Sequence, residues 1–315
     1  MAKHKLTELE INIKNYIPPV IDSQLHKSVS YSQYSVYMQC PYRWNMEYAL
    51  GNKIYTDSIN TVFGTATHET LQYYLEVLYN ESGAAADRLD LEIYLEERLK
   101  ECYRNSFLKT NVHFSNQQEL REFYDDGIEI IRWIKKNRTK IFTTRNVRLL
   151  GIEIPIIQEI KDNIYLKGFI DVVLYDLDLD KVYIIDFKTS RASWTDGQKK
   201  DELKQHQLLI YKHYFSKQFD YPESNIEVKF IILKRKLWEN CDYPQQRIQN
   251  IIPASGKSKI NKCLSSFDNF LKECFDELGK PIVKTYLKKA DKKTCQYCPY
   301  SKDVNLCNKK NTVSA

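Results

Sequence analysis

The 315-residue chain has no apolar run approaching the length of a membrane span, so nothing in it reads as a bilayer-crossing helix. Its opening residues, MAKHKLTELEINIKN, contain no apolar segment of the kind a secretory leader needs, and a cytoplasmic location is expected. A phosphate-binding loop is missing as well. The segment from Ile251 to Ser258, IIPASGKS, ends like a Walker A loop, but the first glycine of that pattern would fall at Ile251, where no phosphate cradle can be built. An ATPase motor is thereby excluded. Nor is there a strong excess of one charge: the formal net charge is +6, which permits a polyanionic partner without demanding one. Hydrophobic residues make up 43% and charged residues 28%, a balance that excludes wholesale disorder and supplies a core.

What the chain has in quantity is tyrosine, 23 residues, and lysine toward its end at Lys284, Lys288, Lys289, Lys292, Lys293, Lys302, Lys309 and Lys310. Basic and aromatic groups in combination line strand-binding channels; the plainer reading is a solvated surface. The most informative stretch runs from Lys167 to Arg191, KGFIDVVLYDLDLDKVYIIDFKTSR. Two runs rich in Val, Ile, Phe and Tyr flank an acidic turn, the pattern of a hairpin. With a side-chain period of two, Val182, Ile184, Asp186 and Lys188 share one face, and Tyr183, Ile185 and Phe187 the other. A turn centred on Leu177 to Asp180 sets Asp171 and Asp186 opposite each other. Carboxylates so placed repel, and a shared proton or a bound cation relieves them. Lys188 on the same face favours the cation, whereas a solvated strand carrying its acids outward is the bland alternative. An oxygen-only site of this kind suits Mg²⁺ or Mn²⁺ beside a phosphate.

GFID followed by IDFKT, residues 168–171 and 185–189, resembles the PD-(D/E)XK nuclease superfamily and, more narrowly, its RecB-type branch. The resemblance implies an α/β fold with a restriction-endonuclease-like core, a mixed central sheet flanked by helices. It assigns Asp171 and Asp186 to the metal, together with the backbone carbonyl of Phe187, and Lys188 to the attacking water. Asp186 replaces the glutamate commoner before x-Lys. The same family places a His after a Gly on the helix preceding its core, matched by Gly64-x3-His68, and implies that His68 contributes a nitrogen to the metal or touches the phosphate. Read from periodicity alone, His68 sits with Leu71, Leu75 and Leu78 on the buried stripe of an amphipathic helix. Gln207 and Tyr211, one turn apart, match the Gln-x3-Tyr pair with which the family contacts the DNA backbone. Glu153, on the first strand, matches a glutamate the family often carries there.

Along the chain, residues 1–28 read as a flexible or loosely docked arm and 29–146 as a helical part. Residues 147–240 form the catalytic core, with three strands, a helix after Lys199 and a strand at IEVKFIILKRK; 241–315 hold a C-terminal helix and a cysteine-rich end. Residues 29–315 are expected to form one domain. Eight cysteines in an apparently intracellular protein do not point to disulfides. Cys263 and Cys274 lie in an amphipathic segment and read as buried thiols. Cys295, Cys298 and Cys307 form a close trio that needs a fourth ligand, and Cys40, in its Cys-Pro context, is the candidate. Four thiolates suit Zn²⁺ or an iron-sulfur cluster equally on coordination grounds. The pattern of one N-terminal Cys and a C-terminal trio resembles AddB-type and CRISPR-associated adaptation nucleases, which implies a 4Fe-4S cluster clamping the termini.

The expectation is thus a Mg²⁺- or Mn²⁺-dependent deoxyribonuclease, an exonuclease on single strands or duplex ends, acting in recombination, repair or the processing of phage or mobile-element DNA. DNA is its partner, with a helicase or recombination protein as a further one, and no membrane. A catalytically silent DNA-binding or helicase-partner module and a structure-specific endonuclease are the rival readings.

Overall fold

The computed structural model describes residues 7–22, 24–289, 292–303 and 305–307, with only the backbone of Lys292, Lys293 and Lys302. The chain runs through α1 (Glu8–Asn15), β1 (Lys27–Val29), α2 (Tyr31–Gln39), α3 (Pro41–Trp44), α4 (Ile59–Asn80), α5 (Gly83–Arg88), α6 (Leu91–Thr110) and α7 (Gln117–Ile141). It continues through β2 (Val147–Lys161), β3 (Ile164–Asp176), β4 (Lys181–Ser190), α8 (Asp196–Lys199), α9 (Glu202–Phe219), β5 (Ile226–Lys234), β6 (Ile248–Ile251), α10 (Lys257–Cys274) and α11 (Lys292–Gln296). Among the described residues no helix is long and apolar enough to cross a membrane.

The six strands among the described residues belong to one mixed sheet, ordered β1-β3-β4-β5-β6, with β2 also on β3. The β2-β3 and β3-β4 pairs are antiparallel hairpins, while β4 and β5 are parallel and joined through α9. A parallel pair needs such a crossover because no tight turn can return the chain to the same end. Helices cover both faces. On one, α2, α9 and α10 enclose Tyr34, Trp44, Leu208, Phe215, Phe267 and Phe270; on the other, α4, α6 and α7 enclose Phe63, Leu71, Tyr74, Leu75, Leu95 and Ile131. Strands buried on both faces explain the near-continuous apolar runs VVLY and YIID. The architecture is therefore the mixed α/β sheet flanked by helices that the sequence led us to expect.

Two features differ from the expectation. Residues described within the N-terminal arm are folded onto the core: the capping box of Thr7 and Glu10 starts α1, Leu9 is buried, Arg148 Nη1 lies 2.7 Å from Glu10 Oε2, and the Tyr16 hydroxyl donates to the Ile157 carbonyl at 2.6 Å. β1 then joins the sheet, parallel to β3. The core segment 147–240 thus does not hold the whole sheet, which recruits β1 from before it and β6 from after it. The Walker-like segment begins at the end of β6 and runs into α10, and its loop is pinned by Lys212 Nζ, which donates to the Ser255 carbonyl at 3.0 Å.

Trp44 ties the parts together. It is fully buried, with ring centroids 5.9 Å from Phe270, 5.5 Å from Phe275 and 5.5 Å from Tyr286. Trp44→Ala would open a cavity where α3, α10 and the C-terminal segment meet, and should lower stability by about 3–5 kcal/mol in denaturant titration. A loss below about 1 kcal/mol would show that this junction is not a shared core.

Candidate active site

The site begins as a fork in the sheet. β3 is paired with β2 at every residue but Asp171, and its other edge is divided: β1 takes Ile164 to Leu166, and β4 takes Val172 to Asp176. Between them, Lys167 to Asp171 have no ladder partner on that edge. β4 leaves β3 after Ile185 and stays with β5 as far as Ser190. The turn falls at residues 177–180, and the register carried one step past Val172↔Ile185 sets Asp171 opposite Asp186. Where the ladder stops, a backbone donor is left over, and Asp171 Oδ2 accepts it from the Phe187 N–H at 2.8 Å.

Asp171 is also where the pleat of β3 breaks. Ile170 and Val173, three apart, lie in one core, while Val172 and Leu174 lie in the other. Facing this break in β2 is Glu153, with φ of 50°, a conformation a side chain adopts only under constraint. Gln72 of α4 spans the two strands, its Nε2 donating to Glu153 Oε1 at 2.6 Å and to the Asp171 carbonyl at 3.4 Å. Sequence reading missed Gln72, although it stands four residues after His68 and therefore on the same side of α4.

Around the fork stand the other side chains. Lys188 Nζ is 2.7 Å from Asp186 Oδ2, an ionic contact in which no donor is aligned with that buried oxygen for a hydrogen bond. His68 Nδ1 is 3.5 Å from Asp171 Oδ2. Burial raises the Asp171 carboxyl to about 6, with Lys188 and the Phe187 amide opposing and Glu153 assisting. Burial likewise raises Asp186 to about 6 against the pull of Lys188, and Asp171 adds to the rise. Burial drives His68 down to about 4, so its imidazole is neutral at pH 7. Burial disfavours the Lys188 ammonium, but Asp186 and then Asp171 outweigh it, and its pKa is raised. Tyr211 is pushed up to about 12 by burial and then by Asp186, and stays protonated. Tyr211 lies over Gly168, where a Cβ would come within 2.7 Å of its ring.

Of the residues singled out in the sequence, Asp171, Asp186, Lys188, His68 and Tyr211 meet at the fork. Gln207 lines a cavity with Tyr211, and Glu153 is held against Asp171 by Gln72. The four cysteines Cys40, Cys295, Cys298 and Cys307 line a single small cavity beside Tyr42 and Arg43. Burial pushes the Cys307 thiol up, and Cys298, Cys40 and Cys295 add to the shift. Cys263 and Cys274 are buried in α10, as expected. Lys309 and Lys310 lie outside the described residues.

Among the described residues, no group of three or more His, Cys, Asp or Glu side chains has the arrangement of a metal site. At the fork the reason is visible: Lys188 contacts Asp186, and Gln72 occupies Glu153. The two carboxylates are nevertheless oxygen donors of the kind taken by Mg²⁺ or Mn²⁺, which keep several waters. Two buried acids brought together at the fork are the observation that fits such an ion.

The family model described as the PD-(D/E)XK nuclease superfamily matches residues 28–303. The chain belongs to the PD-(D/E)XK nuclease superfamily. No curated protein matches the chain. PD-(D/E)XK nucleases generally use divalent metals, in keeping with the acids gathered at the fork.

The superfamily's carboxylates carry a cost in the absence of a cation. The folded pKa of Asp171, about 6, lies above its ordinary 3.8, so between these values the folded chain retains a proton that the unfolded chain releases. Its contribution to stability therefore falls as pH rises from about 4 to about 6 and stays unfavourable above. In EDTA at pH 7, Asp171→Asn should be more stable than the wild type by roughly 1–3 kcal/mol. Mn²⁺ should raise the melting temperature of the wild type alone. Equal stabilisation of both proteins by Mn²⁺ would show that Asp171 does not hold the ion.

Proposed function

We propose that the chain is a Mg²⁺- or Mn²⁺-dependent deoxyribonuclease that degrades single strands or duplex ends as an exonuclease. The observation that carries this reading is the convergence of Asp171, Asp186 and Lys188 at the fork of a PD-(D/E)XK sheet, with Lys188 Nζ 2.7 Å from Asp186 Oδ2.

Asp171, Asp186 and the Phe187 carbonyl would hold the ion, with His68 beside Asp171. When bound, such an ion polarises a phosphoryl oxygen and offsets charge on the leaving oxygen. Lys188, kept cationic by its two acids, orients the attacking water and balances the phosphate charge. Tyr211, protonated through the physiological range, donates to a non-bridging phosphate oxygen, and Gln207 one turn away steers the same group. His68, neutral, fixes the orientation of the Asp171 carboxylate. Glu153, braced by Gln72, supports the strand opposite.

At the other end of the molecule, Cys40, Cys295, Cys298 and Cys307 hold a 4Fe-4S cluster as a staple for the termini, with Zn²⁺ as the alternative. What supports this is four thiols round one cavity with no acid among its lining residues. The setting proposed is DNA recombination, repair or mobile-element processing in the cytoplasm, with a helicase or recombination protein as partner.

The purified protein with Mn²⁺ should degrade labelled linear DNA, and Lys188→Ala should be slower by roughly 100-fold or more. A closed circular single strand should survive; its cleavage would make the enzyme an endonuclease. Equal, negligible degradation of all substrates by both proteins would mark a binding module. Purified without oxygen, the protein should be brown and carry about four irons per chain. Colourless protein with one zinc would overturn the choice of metal, and Cys40→Ala should release both termini to limited proteolysis.

A further inference from the structure

Beyond the fork, the sheet carries a second cation on the face that holds Asp186 and Lys188. The parallel register of β4 and β5 pairs Asp186 with Phe230, Lys188 with Ile232 and Ser190 with Lys234. Phe230 and Ile232 lie in the core that also holds Tyr211, so alternation brings Asp186, Lys188, Ser190 and Lys234 to that side of the sheet. The Lys188 ammonium, 5.9 Å from the centre of the Phe230 ring, points the same way. One strand across and two residues along, the Cα atoms of Lys188 and Lys234 stand about 8 Å apart. Lys234 differs from the cations that follow it. Arg235 Nη1 is 3.0 Å from Asp126 Oδ2, Lys236 Nζ 2.8 Å from Glu122 Oε1 and Arg247 Nη2 3.7 Å from Glu129 Oε2, three acids of α7. Lys234 is half-buried, yet no carboxylate among the described residues lies within ion-pair reach of it. Burial lowers its pKa, and the Arg247 guanidinium lowers it further. A cation half withdrawn from water beside another cation is unfavourable until an anion completes the site. Ser190, directly alongside, offers a hydroxyl with no partner among the described residues.

We propose that Lys234, with the Ser190 hydroxyl, binds the backbone phosphate next to the one being cut. This rests on the nuclease reading for which phosphate is cut, and it adds a direction to that reading. From the acids, the nucleotide strand continues along the row Lys188, Ser190, Lys234 toward the end of β4 and β5. Contacts to phosphate oxygens are the same for every base, so Lys234 sets the register of the strand without reading its sequence. Holding a second phosphate also restricts rotation of the first, which keeps the scissile bond in line with the water that Lys188 orients. Lys234 takes no part in breaking the bond, and its contact can be measured without catalysis.

The test uses Ca²⁺ in place of Mn²⁺ and fluorescence anisotropy with a labelled oligothymidylate. Lys234→Met, which keeps the apolar stem, should weaken binding about tenfold and reduce the salt slope by about one, and Lys234→Arg should keep both near the wild type. Without nucleic acid, Lys234→Met should melt no lower than the wild type, because it removes an uncompensated charge. In Mn²⁺, neutral methylphosphonate linkages on both sides of one bond should slow its cleavage by the wild type, and this penalty should be about tenfold smaller for Lys234→Met. Binding by Lys234→Met within twofold of the wild type, a lowered melting temperature, an equal methylphosphonate penalty in both proteins, or no strand binding by the wild type would each overturn the proposal. If Lys234→Met loses binding and salt slope but the wild type cuts nothing in Mn²⁺, the catalytic reading fails and the phosphate contact at Lys234 stands.

Discussion

Two acids and an ammonium are packed where a sheet would otherwise close, and the rest of the molecule keeps them there. Asp171 and Asp186 are both held well above the usual carboxylate range by burial, so the polypeptide alone does not favour their ionised forms. They are tolerated because the surrounding contacts over-determine their positions. The Phe187 amide fixes Asp171, Lys188 answers Asp186, and Gln72 locks the neighbouring strand through Glu153. Two of these restraints come from β4 and the third from α4. A divalent ion, which PD-(D/E)XK nucleases generally use, would relieve the same repulsion.

The fork explains why the site has both depth and access. A fully paired β3 would leave no edge at Asp171, and every backbone donor would be spent in the ladder. Dividing one edge between β1 and β4 frees five residues, Lys167 to Asp171, while β2 pairs with the opposite edge at all of them but Asp171. Gly168 completes the geometry: a Cβ there would strike the Tyr211 ring, so the absence of a side chain lets α9 bring its tyrosine down onto the strand. The open stretch is therefore bounded by α9 above and α2 at the side.

How much of this was legible in the sequence follows from how local each feature is. The hairpin of β3 and β4 announced itself through two apolar runs and an acidic turn, and its register followed from counting, because the turn at 177–180 fixes every pair. The stripe of Leu71, Leu75 and Leu78 likewise gave α4. His68, placed by periodicity on that stripe, instead turns its ring to Asp171 at the margin of the core. β1 was hidden because three residues carry no periodicity; the strand exists only through pairing with β3, more than 130 positions away. α1 left a readable trace, Thr7 with Glu10 three residues on, yet its docking depends on Arg148 and Ile157, which no local pattern reveals. The strained Glu153 could not be foreseen either, since nothing in Gly-Ile-Glu-Ile distinguishes a left-handed residue from an ordinary strand position.

The cysteine end raises a question of what a clamp between distant residues contributes. Loop-closure entropy grows only with the logarithm of loop length, so joining residues 264 positions apart is little costlier than joining half that number. Protein contacts already make the junction: the Tyr42 hydroxyl donates to the Leu306 carbonyl at 2.7 Å, and the Tyr300 hydroxyl to the Asn52 carbonyl at 2.7 Å. Both tyrosines flank the cavity lined by the four thiols. A bound cluster or ion there would act less by closing a long loop than by stiffening a small junction that hydrogen bonds have already drawn together. Its influence reaches the fork by a short path, since Cys40 ends α2 and the first turn of α2 walls the cavity beside Tyr211. One nine-residue helix thus links the cysteine junction to the open edge of β3. Loosening its far end should be felt in the wall that its near end gives to the cavity beside Tyr211.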